Sequence, residues 1–131
     1  MAFDFTGIAR ANNTADAHRL VLLAEECGAG LRVARALFCA YFEAGQDLND
    51  RAALLELAQG VGLARSVVDA FLAGNGHRGT VAVSQRRAAD LGVTGVPFYV
   101  FNERYALSGA QPVAVLREVL AQLNQPQEVK I

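Results

Sequence analysis

The chain has 131 residues, enough for one domain with a sizeable core. Hydrophobic residues make up 53% and charged residues 19%, a balance that excludes a disordered chain. Twelve Lys and Arg oppose thirteen Asp and Glu for a net charge of −1, so there is no basic excess to hold nucleic acid or an anionic lipid surface.

Met1 to Arg10 lacks a basic start followed by an apolar stretch, and Ala36 to Phe42, the longest strongly apolar run, is far too short to span a bilayer. With Met1 as the true start, these features lead to the expectation of a cytoplasmic protein that binds neither membrane nor nucleic acid.

Asn12-Asn13-Thr14 offers capping side chains, and Ala17, Leu20, Leu23, Ala24 and Cys27 follow at helical spacing until Gly28 and Gly30 stop the helix. A second helix runs from about Leu31 to Ala44 and ends at Gly45, a residue that tolerates a left-handed cap. Asn49 is the expected cap of a third helix, roughly Asp50 to Gln59. A fourth, roughly Ala64 to Ala73, turns Val67, Val68, Phe71 and Leu72 inward. Gly74 to Gly79 reads as a loop. A fifth helix, roughly Val81 to Leu91, ends at Gly92.

The pattern then changes. Pro97-Phe98-Tyr99-Val100-Phe101 is continuously apolar and aromatic, which suits a strand covered on both faces. Asn102-Glu103 is a polar turn, and Arg104 to Ser108 returns as the second strand of a hairpin. Gln111-Pro112 opens a last helix with Val113, Leu116, Leu120 and Leu123 as its apolar stripe. Residues 125–131 read as a flexible tail. The inventory is rich in helix and holds one hairpin, which is marginal in water unless something covers it. Either the helices supply that cover, or further strands do, or a second copy does.

The chain has two cysteines, Cys27 and Cys39, and they form no C-x-x-C pair. Both are expected as buried structural thiols. Cys27 closes a helix, where the dipole and the neighbouring Glu25 and Glu26 oppose a thiolate, and Cys39 lies mid-helix among apolar residues. Neither is placed as an attacking thiol, so no catalytic residue is assigned. No metal site or cofactor is called for either. His18 is expected in a helix–helix contact and His77 in solvent; Arg86-Arg87 reads as a solvated face. Ala88 to Val93 is similar to the turn of a helix-turn-helix. The apolar segment after it contains Pro97 and cannot form a polar recognition helix.

Gly92-Val93-Thr94-Gly95-Val96-Pro97-Phe98-Tyr99-Val100 resembles the loop before a strand of thioredoxin-like proteins, in which the proline is cis. Asn13-Thr14, Ala17-His18-Arg19-Leu20, Ala36-Leu37-Phe38, Gly45-x-Asp47-Leu48 and Tyr105 to Pro112 follow in the order of the FrnE-like branch of the DsbA family. Together they cover about residues 3 to 123. The resemblance implies an α+β, mostly helical chain. Residues 1–78 would be a helical insertion domain. Residues 79–124 would be the C-terminal portion of a thioredoxin-like fold: a helix, the cis-Pro loop, a β-hairpin and a helix, with an incomplete sheet.

The same resemblance implies disulfide exchange with protein or peptide thiols. Gly95, Val96 and Pro97 would hold the substrate, with the backbone of Val96 presented to an extended peptide. The family's C-x-x-C has no counterpart here, so the chain alone is expected to be inactive. Two further readings stand beside this one. One is an enzyme similar to 2-hydroxychromene-2-carboxylate isomerase or kappa-class glutathione transferase, which share the fold. The other is a non-catalytic binding or assembly module, with open strand edges pairing two copies into a homodimer.

Overall fold

The structure is a computed structural model that describes residues 2–8 and 11–124. It contains six helices and one two-stranded antiparallel sheet, so the chain is mostly helical, as the sequence leads one to expect. The order is α1 (Ala15–Glu25), α2 (Gly30–Phe42), α3 (Arg51–Gly60), α4 (Arg65–Ala73), α5 (Arg78–Asp90), β1 (Phe98–Phe101), β2 (Tyr105–Ser108) and α6 (Val113–Leu123). It forms two compact units, Met1–Ser84 and Gln85–Ile131, whose boundary falls within α5. The expected tail at 125–131 lies outside the described residues.

In the first unit α1 packs against α2 and α4, and α3 against α2 and α4. Their apolar stripes meet in one core, with Leu20, Val33, Ala58 and Val68 fully buried. Each such aliphatic side chain contributes roughly 1.5–3 kcal/mol by leaving water. Local chemistry sets the ends of the helices. The Asp50 side chain accepts from the Ala52 N–H at 2.9 Å and so caps α3. Asn49, the residue expected in that role, instead accepts from the Asn13 N–H at 3.0 Å and ties the start of α1 to the loop before α3. The C-terminus of α1 closes with the Gly28 N–H on the Glu25 carbonyl and the Ala29 N–H on the Ala24 carbonyl. This Schellman closure uses the left-handed φ of 71° at Gly28.

Residues 2–8 dock on the end of α2. The Asp4 N–H donates to the Phe42 carbonyl at 2.8 Å, and the Phe3 ring meets the Phe42 ring edge-on at 5.3 Å. The Cα of Gly7 lies 3.6 Å from the Cβ position of its own close approach to Gly45, so two glycines bring the backbones together.

α5 begins at Arg78, earlier than periodicity suggests, because the Val81 N–H reaches back to the His77 carbonyl at 3.0 Å. Much of the expected Gly74–Gly79 loop is thereby helix or helix entry. After Gly92 no recognition helix follows; the chain runs into β1. β1 and β2 pair with Phe98 opposite Ser108 and Phe101 opposite Tyr105. Asn102 and Glu103 both have positive φ, 49° and 57°, and the Arg104 N–H donates to the Phe101 carbonyl. That is the primed turn matching strand twist.

The cover expected over both faces of β1 is not provided. Tyr99 and Val100, which point to opposite faces, are 39% and 44% exposed. Among the described residues from Gln85 onward, Val119 alone counts as a buried hydrophobic.

Candidate functional site

The residues singled out for substrate binding lie together at the entrance to β1. α5 ends with the Gly92 N–H on the Ala89 carbonyl and the Val93 N–H on the Ala88 carbonyl. The chain then crosses Thr94 and Gly95 to a cis Val96–Pro97 peptide bond. The Pro97 carbonyl accepts from the Gly109 N–H at 2.8 Å, which extends the β1–β2 ladder to the proline. On the far strand the Gln111 side chain donates to the Ser108 carbonyl at 2.7 Å, fixing the exit of β2.

Val96 is 89% exposed, and neither its N–H nor its C=O has a partner among the described residues. An uncovered donor and acceptor on one residue, beside a strand whose far side is already paired, match what an extended peptide backbone needs. Gly95 and Pro97 flank this residue and are exposed too. No side chain in the loop is an acid, a base or a nucleophile. The loop can therefore hold a ligand but cannot by itself transfer a proton or an electron pair.

The thiols differ from expectation. Cys27 is exposed and Cys39 half-buried. Periodicity assigned Cys27 to the inner face, but α1 stops at Glu25 and the closure at Gly28 carries Cys27 out to solvent. Its Sγ lies 3.3 Å from the Ala24 carbonyl. It therefore sits at the C-terminal, negative end of a helix, not the N-terminal end that activates thiols.

Both histidines also differ. His18 is exposed and lines a groove between α1 and α2, with Val21, Phe38 and Tyr41 on its walls and about 270 Å³ of space. His77 is not merely solvated: its Nε2 lies 2.8 Å from Glu26 Oε1 and its ring 5.7 Å from that of Phe71. Arg87 is 71% exposed, with its nearest carboxylate, that of Glu103, at 3.5 Å.

Arg19 went unread in the sequence beyond its place in a motif. Its side chain is 1% exposed. Nε donates to the Gly76 carbonyl at 2.7 Å, and Nη2 donates to the Phe71 and Gly74 carbonyls at 3.0 and 2.8 Å. Nη1 pairs with Asp16 at 2.6 Å. One buried cation thus satisfies carbonyls at the C-terminus of α4, where the dipole favours positive charge. This is an architectural role, fixing α1 against the α4–α5 turn. A heptad pattern could not show it, because the partners are backbone groups distant in sequence.

Among the described residues no group of three or more His, Cys, Asp or Glu side chains is placed to hold a metal ion. No described helix is long and apolar enough to cross a membrane.

An antiparallel hairpin entered through a cis-proline and followed by a helix, on a chain that is otherwise helical, is the C-terminal ββα portion of a thioredoxin-like fold with a large helical segment. The chain belongs to the DSBA-like thioredoxin domain family, which matches residues 1–121. It is similar to the crystal structure of a probable DsbA oxidoreductase from Streptomyces coelicolor, with 37% identity and a TM-score of 0.75. That similarity covers 92% of this chain and 53% of the Streptomyces chain, so the chain spans about half the length of that structure. No curated protein matches it.

Proposed function

We propose that this chain supplies the helical and proline-loop elements of a FrnE-like thiol–disulfide oxidoreductase. Its loop Gly95-Val96-Pro97 holds an extended segment of a protein or peptide thiol or disulfide. The observation that carries this reading is the unpartnered backbone of Val96 at the entrance of β1. Two main-chain hydrogen bonds there would align a peptide antiparallel to the loop, leaving side-chain recognition to neighbouring surfaces.

The chain on its own is catalytically silent in this reading. Exchange requires an attacking thiolate, and neither Cys27 at a helix C-terminus nor Cys39 within a helix has the surroundings that generate one. Membership of the DsbA-like family favours thiol or disulfide substrates over the isomerase and glutathione-transferase readings.

The test has two arms. Titration with an unstructured cysteine-containing peptide, followed by amide chemical shifts, should move Gly95, Val96 and Phe98 and leave α3 unmoved. Insulin reduction with dithiothreitol should proceed at the uncatalysed rate. Absence of shifts at the loop would refute the binding role. Turnover that disappears in Cys27→Ser or Cys39→Ser would refute the catalytic silence.

A further inference from the structure

The outer edge of β1 is built to pair with itself. In an antiparallel ladder, alternate residues of a strand direct both backbone groups toward the partner strand, and those between direct them away. The Pro97 carbonyl accepts from the Gly109 N–H, and Tyr99 and Phe101 stand opposite Leu107 and Tyr105. Residues 97, 99 and 101 therefore face β2. Phe98 and Val100 turn their N–H and C=O groups to the open edge, in line with the unpartnered groups of Val96.

Natural edges are protected by charge, bulges or cover. This one has none of these among the described residues. No charged side chain stands between Asp90 and Glu103. The sheet ends at β1, and Val96 and Val100 are 89% and 44% exposed. The β2 side is different, since its entry carries Glu103 and Arg104.

We infer that a second copy of this chain occupies the edge, β1 against β1, antiparallel about a two-fold axis at Tyr99. The proposal goes beyond the substrate-loop reading and does not depend on disulfide exchange. In this register Phe98 lies opposite Val100 of the partner copy, and Val100 opposite its Phe98. Every outward N–H and C=O of those two residues then gains a partner. Tyr99 meets its own counterpart at the axis as a non-hydrogen-bonded pair, the type with the closest side chains.

Aromatic cross-strand pairs add to such a contact. Here the Tyr99 ring already stacks on Phe101, with centroids 6.3 Å apart and planes 19° apart, so the axis carries an aromatic stripe from each copy. The absence of charge is also complementarity: two identical edges meet without like-charge repulsion. A continuous sheet in the order β2–β1–β1–β2 results. It covers a hairpin that is marginal alone, in a unit with Val119 as its sole buried hydrophobic among the described residues.

The test is the mass in solution by light scattering or sedimentation at about 10–100 µM, a range within which interfaces of modest size associate. Reducing agent is present throughout, so that exposed Cys27 cannot cross-link two chains. The expected result is twice the chain mass. Val100→Pro removes an outward N–H and none that faces β2; Val100→Lys places a charge on the edge. Both should halve the mass while helical circular dichroism is retained. A monomeric wild-type chain overturns the inference, and so does a dimer that survives both substitutions. The peptide titration described above is run on the Val100→Lys monomer, so loss of the dimer and loss of peptide binding are scored separately.

Discussion

Arg19 holds Phe71 in two ways: its Nη2 donates to the Phe71 carbonyl at 3.0 Å, and its guanidinium carbon lies 5.0 Å from the centre of the Phe71 ring. The cation thus stacks on a side chain and caps the backbone of the same residue. Arg19→Met keeps most of the volume but leaves the carbonyls of Phe71, Gly74 and Gly76 without their donor. Each buried unsatisfied group costs about 1–3 kcal/mol, so the variant should lose about 3 kcal/mol or more, read as a lower denaturant midpoint at unchanged slope. Arg19→Lys should recover little, because a point ammonium lacks the planar fork that reaches several acceptors. Asp16→Asn should change stability by less than about 1 kcal/mol, since Asp16 is 46% exposed.

Gly76 is the other half of this arrangement. A Cβ placed on it would stand 2.3 Å from Cε2 of the Phe71 ring. The ring cannot yield without disturbing the cation over its face, so Gly76→Ala should destabilise by about 1–3 kcal/mol as an overpacking change. Gly79→Ala is the control. Its Cβ meets nothing within 4 Å and it lies within α5, so the exchange should be neutral or stabilising by up to about 1 kcal/mol. Equal effects at the two glycines would show that contact with Phe71 is not the cause.

Core and surface leucines separate in the same assay. Leu20 is fully buried and Leu31 is 85% exposed. Leu20→Ala should cost about 2–5 kcal/mol, whereas Leu31→Ala should stay within about 0.5 kcal/mol. A large loss at Leu31 would reveal a partner for that face.

The residues that were legible are those whose role is written in local spacing. Leu20, Leu54, Val68 and Leu72 follow from the helical period and all are buried. The Asn102-Glu103 turn follows from its polarity between two apolar runs. Roles set by distant backbone were not legible. Arg19 looks like a surface cation beside Asp16 because its acceptors, in the turn after α4, carry no side-chain signature. Cys27 was misplaced by extending a period beyond the point where Gly28 closes the helix. Asn49 and Asp50 are both capping residues side by side. Only the hydrogen bond from the Ala52 N–H decides between them. At the loop, Val96-Pro97 could be singled out by resemblance, but the openness of Val96 depends on what packs nearby.

The thiols give a direct check on that correction. Cys27 is exposed and Cys39 half-buried within α2. Reagent must reach the sulfur before it can react, so native protein treated with a maleimide should label first at Cys27. Mass spectrometry of the singly labelled peptide identifies the site. First labelling at Cys39 would mean the α1 closure around Gly28 is wrong.

The single titrating group with a distinct environment is Asp4, whose carboxylate is held below its usual 3.8 by the Thr6 hydroxyl and then by the Thr6 N–H. The hydroxyl donates to Oδ1 at 2.5 Å and the N–H to the same oxygen at 2.9 Å. Both bonds favour the charged form, so the folded-state value is the lower of the two states. The group therefore contributes stability above its unfolded value, and that contribution disappears as pH falls through the folded one. Thr6→Ala removes the larger cause and leaves the N–H in place. The Asp4 titration followed by carboxyl carbon shifts should rise in the variant without reaching 3.8. The Asp4 N–H also donates to the Phe42 carbonyl, and Phe3 packs on the Phe42 ring. Acidification should therefore loosen residues 2–8 from the end of α2 at a higher pH in Thr6→Ala than in the parent chain. Coincident loosening in both chains would separate the docking of that segment from the state of Asp4.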